Sequence, residues 1–401
     1  MDPLYRPLFN RSYTPELYRR YLATLNDKLG PIPFQMAETP LFFTPELRDL
    51  LARQASEIVT QLQDPGTLSV LRRNIPAHYD APGMDVLPNC VQVDFALSPG
   101  PEGKLVGKVV ELQAFPSLYA MMMFFADAWR EVFQTEPGLA KPWTCLIQHS
   151  REEGLRIMRE TILGGEAPEH VALLDFEPDQ QKTAPDFNAT RALFGVCTVD
   201  ATQVIKQGRA LFRKDGDRLI PIRRIYNRMV FDELEVKGYE LPFKFTDELD
   251  VTWASHPNWY WVWSKACLPL LEHPAVPRAR LLSELDAAPA DLANYVLKPL
   301  FSFAGSGVVI DVTPEDLARV PKEQRDRWVL QEKITYAPAI KGPGGVEIKA
   351  EVRVMLLRPP AATKLEPLIH LVRLSRGKML GVDQNRGMDW VGASVGLWPE
   401  P

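Results

Sequence analysis

The pattern of apolar and polar positions divides the chain into stretches of different character. The first 70 residues read as helical. Thr14-Pro15-Glu16-Leu17 and Thr44-Pro45-Glu46-Leu47 each place a capping threonine before a proline at the first helical position and an acid in the first turn. Gly30 and Gly66 are the expected stops. The pattern then becomes strand-like. Val91–Leu97 and Val106–Leu112 are short apolar runs separated by the turn-forming Ser98-Pro99-Gly100-Pro101-Glu102-Gly103, and a helix is expected after Pro116-Ser117.

The middle of the chain reads as mixed α/β. Val171–Phe176 is a buried-strand candidate, and residues 211–220 form a hairpin turning at Asp215-Gly216, which leads into Ile222–Arg228. Residues 259–272 are expected as one helix, whose aromatic start, Trp259-Tyr260-Trp261-Val262-Trp263, either packs one subdomain on another or stacks a ligand. The last third alternates strands and loops: Tyr295–Lys298, Gly307–Ile310, Trp328–Gln331 and Glu351–Leu357. The implied fold class is α/β with α+β subdomains. Its expected parts are a helical N-terminal segment over 1–75, a mixed α/β domain over 76–255 and a further region over 256–401.

Composition narrows the class of protein. An apolar fraction of 46% in 401 residues fills several cores, and 24% charge is ordinary for a globular chain, which excludes disordered, collagen-like and disulfide-stapled architectures. The net charge of −5 argues against a broad nucleic-acid-binding face, which needs an excess of Lys and Arg. No basic segment followed by an apolar stretch marks a secretory signal at the start. The markedly apolar run Leu118–Ala126 stops at Asp127, well short of a membrane span. Cys90, Cys145, Cys197 and Cys267 are scattered and expected to be reduced, and the six histidines show no zinc spacing. These features suggest a cytoplasmic, enzyme-like protein.

Three groups of residues could carry chemistry. Lys298 leaves an apolar strand before Pro299-Leu300-Phe301-Ser302-Phe303-Ala304-Gly305-Ser306-Gly307. A loop of small residues there can fold over phosphates, with backbone N–H groups, Ser302 or Ser306 donating and Lys298 adding charge; a tight hairpin with an exposed lysine is the plain alternative. It is not a Walker loop, because no G-K-[ST] follows the glycines. At the end of the next strand Gln331 and Glu332 point to opposite faces, so one of them can face a cleft. Upstream, Glu111 and Gln113 share a strand face and Asp94 lies on the preceding strand, expected to pair antiparallel with it, an oxygen set of the kind Mg²⁺ prefers, unless these are simply acids on an edge hairpin. Arg353 and Arg373 lie within apolar strands, so each must be paired, for example with Glu351, or must face a polar cleft. Lys265 sits in an apolar stretch where snorkelling would suffice to explain it.

Taken in order, these segments resemble the circularly permuted ATP-grasp superfamily, and within it the glutathionylspermidine synthetase-like carboxylate–amine ligases. The resemblance rests on Asp94, then Glu111-Leu112-Gln113 and Pro116-Ser117; on Ile222-Arg223-Arg224-Ile225-Tyr226-Asn227-Arg228; on His256-Pro257-Asn258 with Lys265; on Val296-Leu297-Lys298-Pro299 through Gly307; on Gln331-Glu332; and on Arg353, Arg373 and Asn385. It covers roughly residues 85 to 395. Gln113 stands where the family has asparagine, and Phe303-Ala304 where it carries more glycine or polar residues.

The resemblance implies an ATP-grasp-like fold with a nucleotide cleft between two mixed sheets, the nucleotide region falling in 256–401. It implies an ATP- and Mg²⁺-dependent ligase that joins a carboxylate to an amine or thiol through an acyl phosphate. A catalytically weak ATP-binding sensor or assembly module, and a small-molecule kinase, are the alternatives. Asp94, Glu111 and Gln113 would hold magnesium. Lys265, Lys298, Ser302, Gly305, Ser306, Gly307, Gln331 and Glu332 would bind ATP. Arg353 and Arg373 would act on the transferred phosphoryl group, and Ser117, Arg224, Arg228 and Asn385 would meet the substrates. The expected partners are a small carboxylate and an amine, with neither nucleic acid nor membrane.

Overall fold

The computed structural model describes residues 1–302, 305–377 and 387–400. The N-terminal helices are α1 (Tyr5–Ser12), α2 (Pro15–Leu29), α3 (Pro45–Gln61) and α4 (Pro65–Arg72), followed by α5 (Tyr119–Phe133). The Thr14 hydroxyl accepts from the Leu17 N–H and the Thr44 hydroxyl from the Leu47 N–H, so both expected caps form. Gly30 ends α2 at φ +77°. Gly66 is no stop: Asp64 caps a new helix, α4, and Gly66 lies inside it.

The main strands, in chain order, are β1 (Leu41–Phe42), β2 (Cys90–Pro99), β3 (Leu105–Gln113), β4 (Val171–Asp175), β5 (Cys197–Asp200), β6 (Arg224–Asn227), β7 (Thr252–Ala254), β8 (Ala279–Leu281), β9 (Tyr295–Pro299), β10 (Trp328–Glu332), β11 (Glu347–Leu357), β12 (Glu366–Ser375) and β13 (Gly392–Pro399). The largest sheet runs β1-β13-β12-β11-β2-β3, with Trp143–Thr144 and Ile340–Lys341 added beside β13 and β11. It is mixed, because β1 lies parallel to β13 while the other pairs are antiparallel. It draws strands from each of the three stretches 1–75, 76–255 and 256–401, and its core runs from Tyr5 to Trp398.

A second sheet, β7-β6-β4-β5, is entirely parallel and carries a separate apolar cluster that includes Phe176, Ile225, Phe231 and Phe245. The third, β8-β10-β9, is antiparallel and packs Leu297 and Leu330 with Leu317 of a short helix. The expected hairpin, Ala210–Asp215 with Arg218–Ile222, belongs to a small separate sheet.

The segment 259–272 differs from the single helix its pattern predicts. A helical turn over Trp259–Val262 ends at Trp263, which is extended, and the Ser264 hydroxyl accepts from the Ala266 N–H to start a 3-10 helix over Lys265–Leu270. The break lets the Trp263 carbonyl accept from the Ala114 N–H just beyond β3. Trp259 and Trp263 fill the main core, whereas Tyr260 and Trp261 fill the cluster beside the parallel sheet. The aromatic stretch thus joins two subdomains, as its packing alternative predicts.

Among the described residues no helix is long and apolar enough to cross a membrane. The four cysteines are free, and all but Cys197 are buried.

Candidate functional site

A bulge in the β2–β3 hairpin begins the site. Gln113 pairs with Gln92 and Glu111 with Asp94, but Phe95 pairs with Val109, which leaves Val110 as the extra residue. The Val110 carbonyl accepts at 2.8 Å from Lys298 Nζ, 188 residues further along the chain. Lys298 also donates to Gln331 Oε1 at 2.6 Å, and Gln331 Nε2 donates to the Val109 carbonyl at 3.1 Å. The third sheet is thereby tied to the hairpin through two polar side chains. Burial lowers the Lys298 amine to about 8 because it penalises the charged form, while the nearby Glu111 carboxylate works in the opposite direction.

A charged network spans the neighbouring strands. Arg353 lies opposite Asp94 across the β11–β2 pair, and Glu351 lies opposite Arg373 across β11–β12. Arg353 Nε and Nη2 donate to the two Asp94 oxygens at 2.6 and 2.8 Å. Arg373 also donates to Asp94, and its Nη2 is 3.3 Å from Glu351 Oε2. The Tyr336 hydroxyl donates to the other oxygen of Glu351. Burial pushes the Asp94 carboxyl up, but the two guanidinium groups outweigh it and hold the group down at about 2. Burial raises Glu351 above the usual carboxylate range despite Arg373. Lys265 Nζ is 3.5 Å from Glu111 Oε2 and donates to the Ser302 carbonyl at 2.6 Å, a position made by the helix break at Trp263. Lys265 is 6% exposed, so it is a buried, partnered lysine rather than a snorkelling one.

Lys298, Gln331 and the Asp94, Glu111, Glu351, Arg353 and Arg373 network line the middle of a cavity of about 860 Å³. One end is apolar, with Val296, Val308, Ile310 and Ile334 beside the chain at 332–335. The opposite end lies at the carboxyl ends of two parallel strands, β4 and β6, where open α/β sheets commonly seat ligands. Ser117, Asp175, Gln181, Lys182, Arg228 and Glu233 line it. Arg228 pairs with Asp186 at 2.5 Å, and its guanidinium is 4.9 Å from the centre of the Phe187 ring. Asp175 is 3% exposed, and burial pushes its carboxyl up to about 7, with Arg228 opposing the shift.

The structure brings most of the expected residues together. Asp94, Glu111, Gln113, Ser117, Arg228, Lys298, Gly305, Gln331, Glu332, Arg353 and Arg373 all line this cavity. Lys265 and Ser302 sit behind Glu111 in a small adjoining hollow. Ser306 and Gly307 are exposed and outside the cavity lining. Arg224 is turned away: its guanidinium donates to the Thr161 and Ile162 carbonyls and the Thr252 hydroxyl, inside the parallel-sheet lobe. Asn385 and Phe303-Ala304 lie outside the described residues. Sequence reasoning missed Tyr336, Lys349, Asp175 and Ile334, which also line the cavity. Asp175 had a readable signal, as the polar end of an apolar strand; Tyr336 and Lys349 had none.

The oxygen set does not fit a magnesium ion as it stands. Both Asp94 oxygens are held by arginine donors. Glu111 lies between Lys265 and Arg353, whose Nη2 is 3.9 Å from it. Gln113 Nε2 donates to Gln92, so its amide oxygen is the one neutral member of the set. Among the described residues no group of three His, Cys, Asp or Glu side chains is arranged to hold a metal.

No protein-family model matches the sequence. No curated protein matches it either. A solved structure does: a glutathione synthetase-like effector from Globodera pallida in its apo form superposes with a TM-score of 0.58 over 90% of this chain and 95% of that one, at 13% sequence identity. The fold is glutathione synthetase-like. The likeness concerns the path of the chain, and the 13% identity leaves the side chains of the cavity to be argued from their own geometry.

Proposed function

We propose that the cavity binds ATP and that the chain uses it to join a small carboxylate to an amine or thiol through an acyl phosphate. The observation that carries this reading is the single cavity running from an apolar slot, past Lys298, Arg353 and Arg373, to a polar end at the parallel sheet. Adenine would sit among Val296, Val308, Ile310 and Ile334, with backbone groups of 332–334 at its edge. The phosphates would lie toward Lys298 and Arg373. The two substrates would meet near Ser117, Arg228 and Asp175. The substrate carboxylate attacks the γ-phosphate, ADP leaves, and the amine then displaces phosphate from the acyl group. The chain's own part is to fix the reactants and to spread positive charge where negative charge develops. The glutathione synthetase-like fold supports a ligase reading over that of a small-molecule kinase.

A second reading, ATP binding without turnover, is favoured by one observation: the Asp94 carboxylate is committed to Arg353 and Arg373. Incubating the protein with ATP against a panel of amino acids, other small acids and polyamines, with ADP release and product mass as readouts, separates the two. Ligation predicts sustained ADP release, with a coupled product, only when acid and amine are both present. ATP binding with no ADP release across the panel would leave the second reading.

A further inference from the structure

We infer that the cationic middle of the cavity takes a polyanion directly on the protein's own cations, so that a nucleoside triphosphate binds there without a divalent metal. This rests on the nucleotide reading above and goes against the magnesium site that the sequence resemblance implies.

Lys298, Lys349, Arg353 and Arg373 line this part of the cavity, with Lys265 behind Glu111, against Asp94, Glu111 and Glu351: five positive groups against three negative. Magnesium bound between protein and phosphates needs carboxylate oxygens with free lone pairs, because the metal demands a near-ideal oxygen octahedron. Asp94 offers none. A planar guanidinium clasps both its oxygens in the fork geometry that suits carboxylates best, and a second guanidinium reaches one of them. The register of β11 against β2 sets Arg353 opposite Asp94, so sheet pairing itself holds this clasp. Its burial keeps water from competing for the arginine donors. A cation at Glu111 would lie close to Lys265 and Arg353 and would meet repulsion from both.

A triphosphate meets the reverse situation. Arg353 uses Nε and Nη2 on Asp94, and Arg373 uses Nη2 on Asp94 and Glu351. Each guanidinium has five N–H donors, so each retains others for phosphate oxygens. Lys349 lines the same wall and donates to the Gly377 carbonyl from a half-buried position. The arginines thus do the neutralising that a bridging metal does in sites built of free carboxylates.

Titration calorimetry with ATP, once in excess EDTA and once in excess MgCl2, tests this. The inference expects binding in EDTA at an affinity equal to or tighter than in magnesium, since the free triphosphate carries more charge than its magnesium complex. Asp94→Asn keeps the side chain's size and releases both arginines, so ATP should bind in EDTA at least as tightly as to the wild type. A thermal melt confirms that the variant is folded. If it is not, Lys349→Gln serves instead, with an expected ~10-fold weakening in EDTA, the scale of one charge-assisted hydrogen bond. ATP binding that appears only with magnesium would overturn the inference and leave the nucleotide reading standing. A folded Asp94→Asn that has lost ATP binding would do the same. No ATP binding in either buffer would overturn the nucleotide reading, and this inference with it.

Discussion

Asp175 accepts one hydrogen bond among the described residues, from the N–H of Phe176, and otherwise faces the cavity. Its folded-state pKa of about 7 lies above the ordinary carboxylate value near 3.8, with burial as the main cause. The native state therefore holds this proton more tightly than the unfolded chain does. The resulting stabilisation is complete below pH ~4 and is lost as pH rises through ~7. Asp175→Asn should remove this slope. In urea titrations the variant should gain on the wild type at pH 8 and show little difference at pH 4; an equal gap at both pH values would contradict the assignment. Lys298 makes the other residue-level case. It ties β9 to the hairpin bulge and faces the cavity, so Lys298→Ala should weaken ATP binding by ~1–3 kcal/mol, the range for a charge-assisted hydrogen bond. Unchanged affinity would remove it from the site.

Close approach of chain segments sets the limits at the scale of elements. Strand β13 begins at Gly392 with φ +121°, and a Cβ there would lie 2.3 Å from the Gln35 carbonyl oxygen and 2.8 Å from its carbon. The contact is to backbone, which cannot rotate aside. It belongs to the ladder in which Ala393 N–H donates to Gln35 and Ala37 N–H donates to Ala393, the join between the N-terminal segment and the last strand. Gly392→Ala should cost ~1–3 kcal/mol through strain and overpacking, read as a lower denaturant midpoint. A second element-level test concerns the break at Trp263. Ser264 starts the 3-10 helix that presents Lys265 to Glu111. Ser264→Ala should cost ~0.5–2 kcal/mol as a lost cap, in the same denaturant measurement.

At the scale of the whole molecule, what was legible in the sequence follows from how local each determinant is. The caps at Thr14 and Thr44, the pairing of the Asp94 and Glu111 strands and the Asp215-Gly216 hairpin depend on residues within one or two turns of each other, and they form as their patterns predict. The helix expected over 259–272 breaks because Trp263 and Ser264 respond to β3 and the core, which are distant in sequence. The partners of Asp94 lie more than 250 residues away on β11 and β12, so an oxygen set that reads as a metal site in one dimension becomes an arginine clasp in three. Arg224, Arg228 and their neighbours look alike in sequence, yet the first secures carbonyl groups of the helix over Arg151–Leu163 and the second lines the cavity. Position along the chain separates them: Arg224 begins β6, whereas Arg228 follows its last residue, at the carboxyl end where the cavity lies.

On the nucleotide reading, one cavity, assembled from the β2–β3 hairpin, the β9–β10 pair and β11–β12, seats ATP. Backbone hydrogen exchange with and without saturating ATP tests it across the whole molecule at once. Nucleotide binding in this cavity predicts slower exchange around Val109–Gln113, Val296–Lys298, Val308–Ile310 and Gln331–Tyr336 together, with helices α1 and α4 unchanged. Protection confined to other segments, or none at all at saturating ATP, would contradict it.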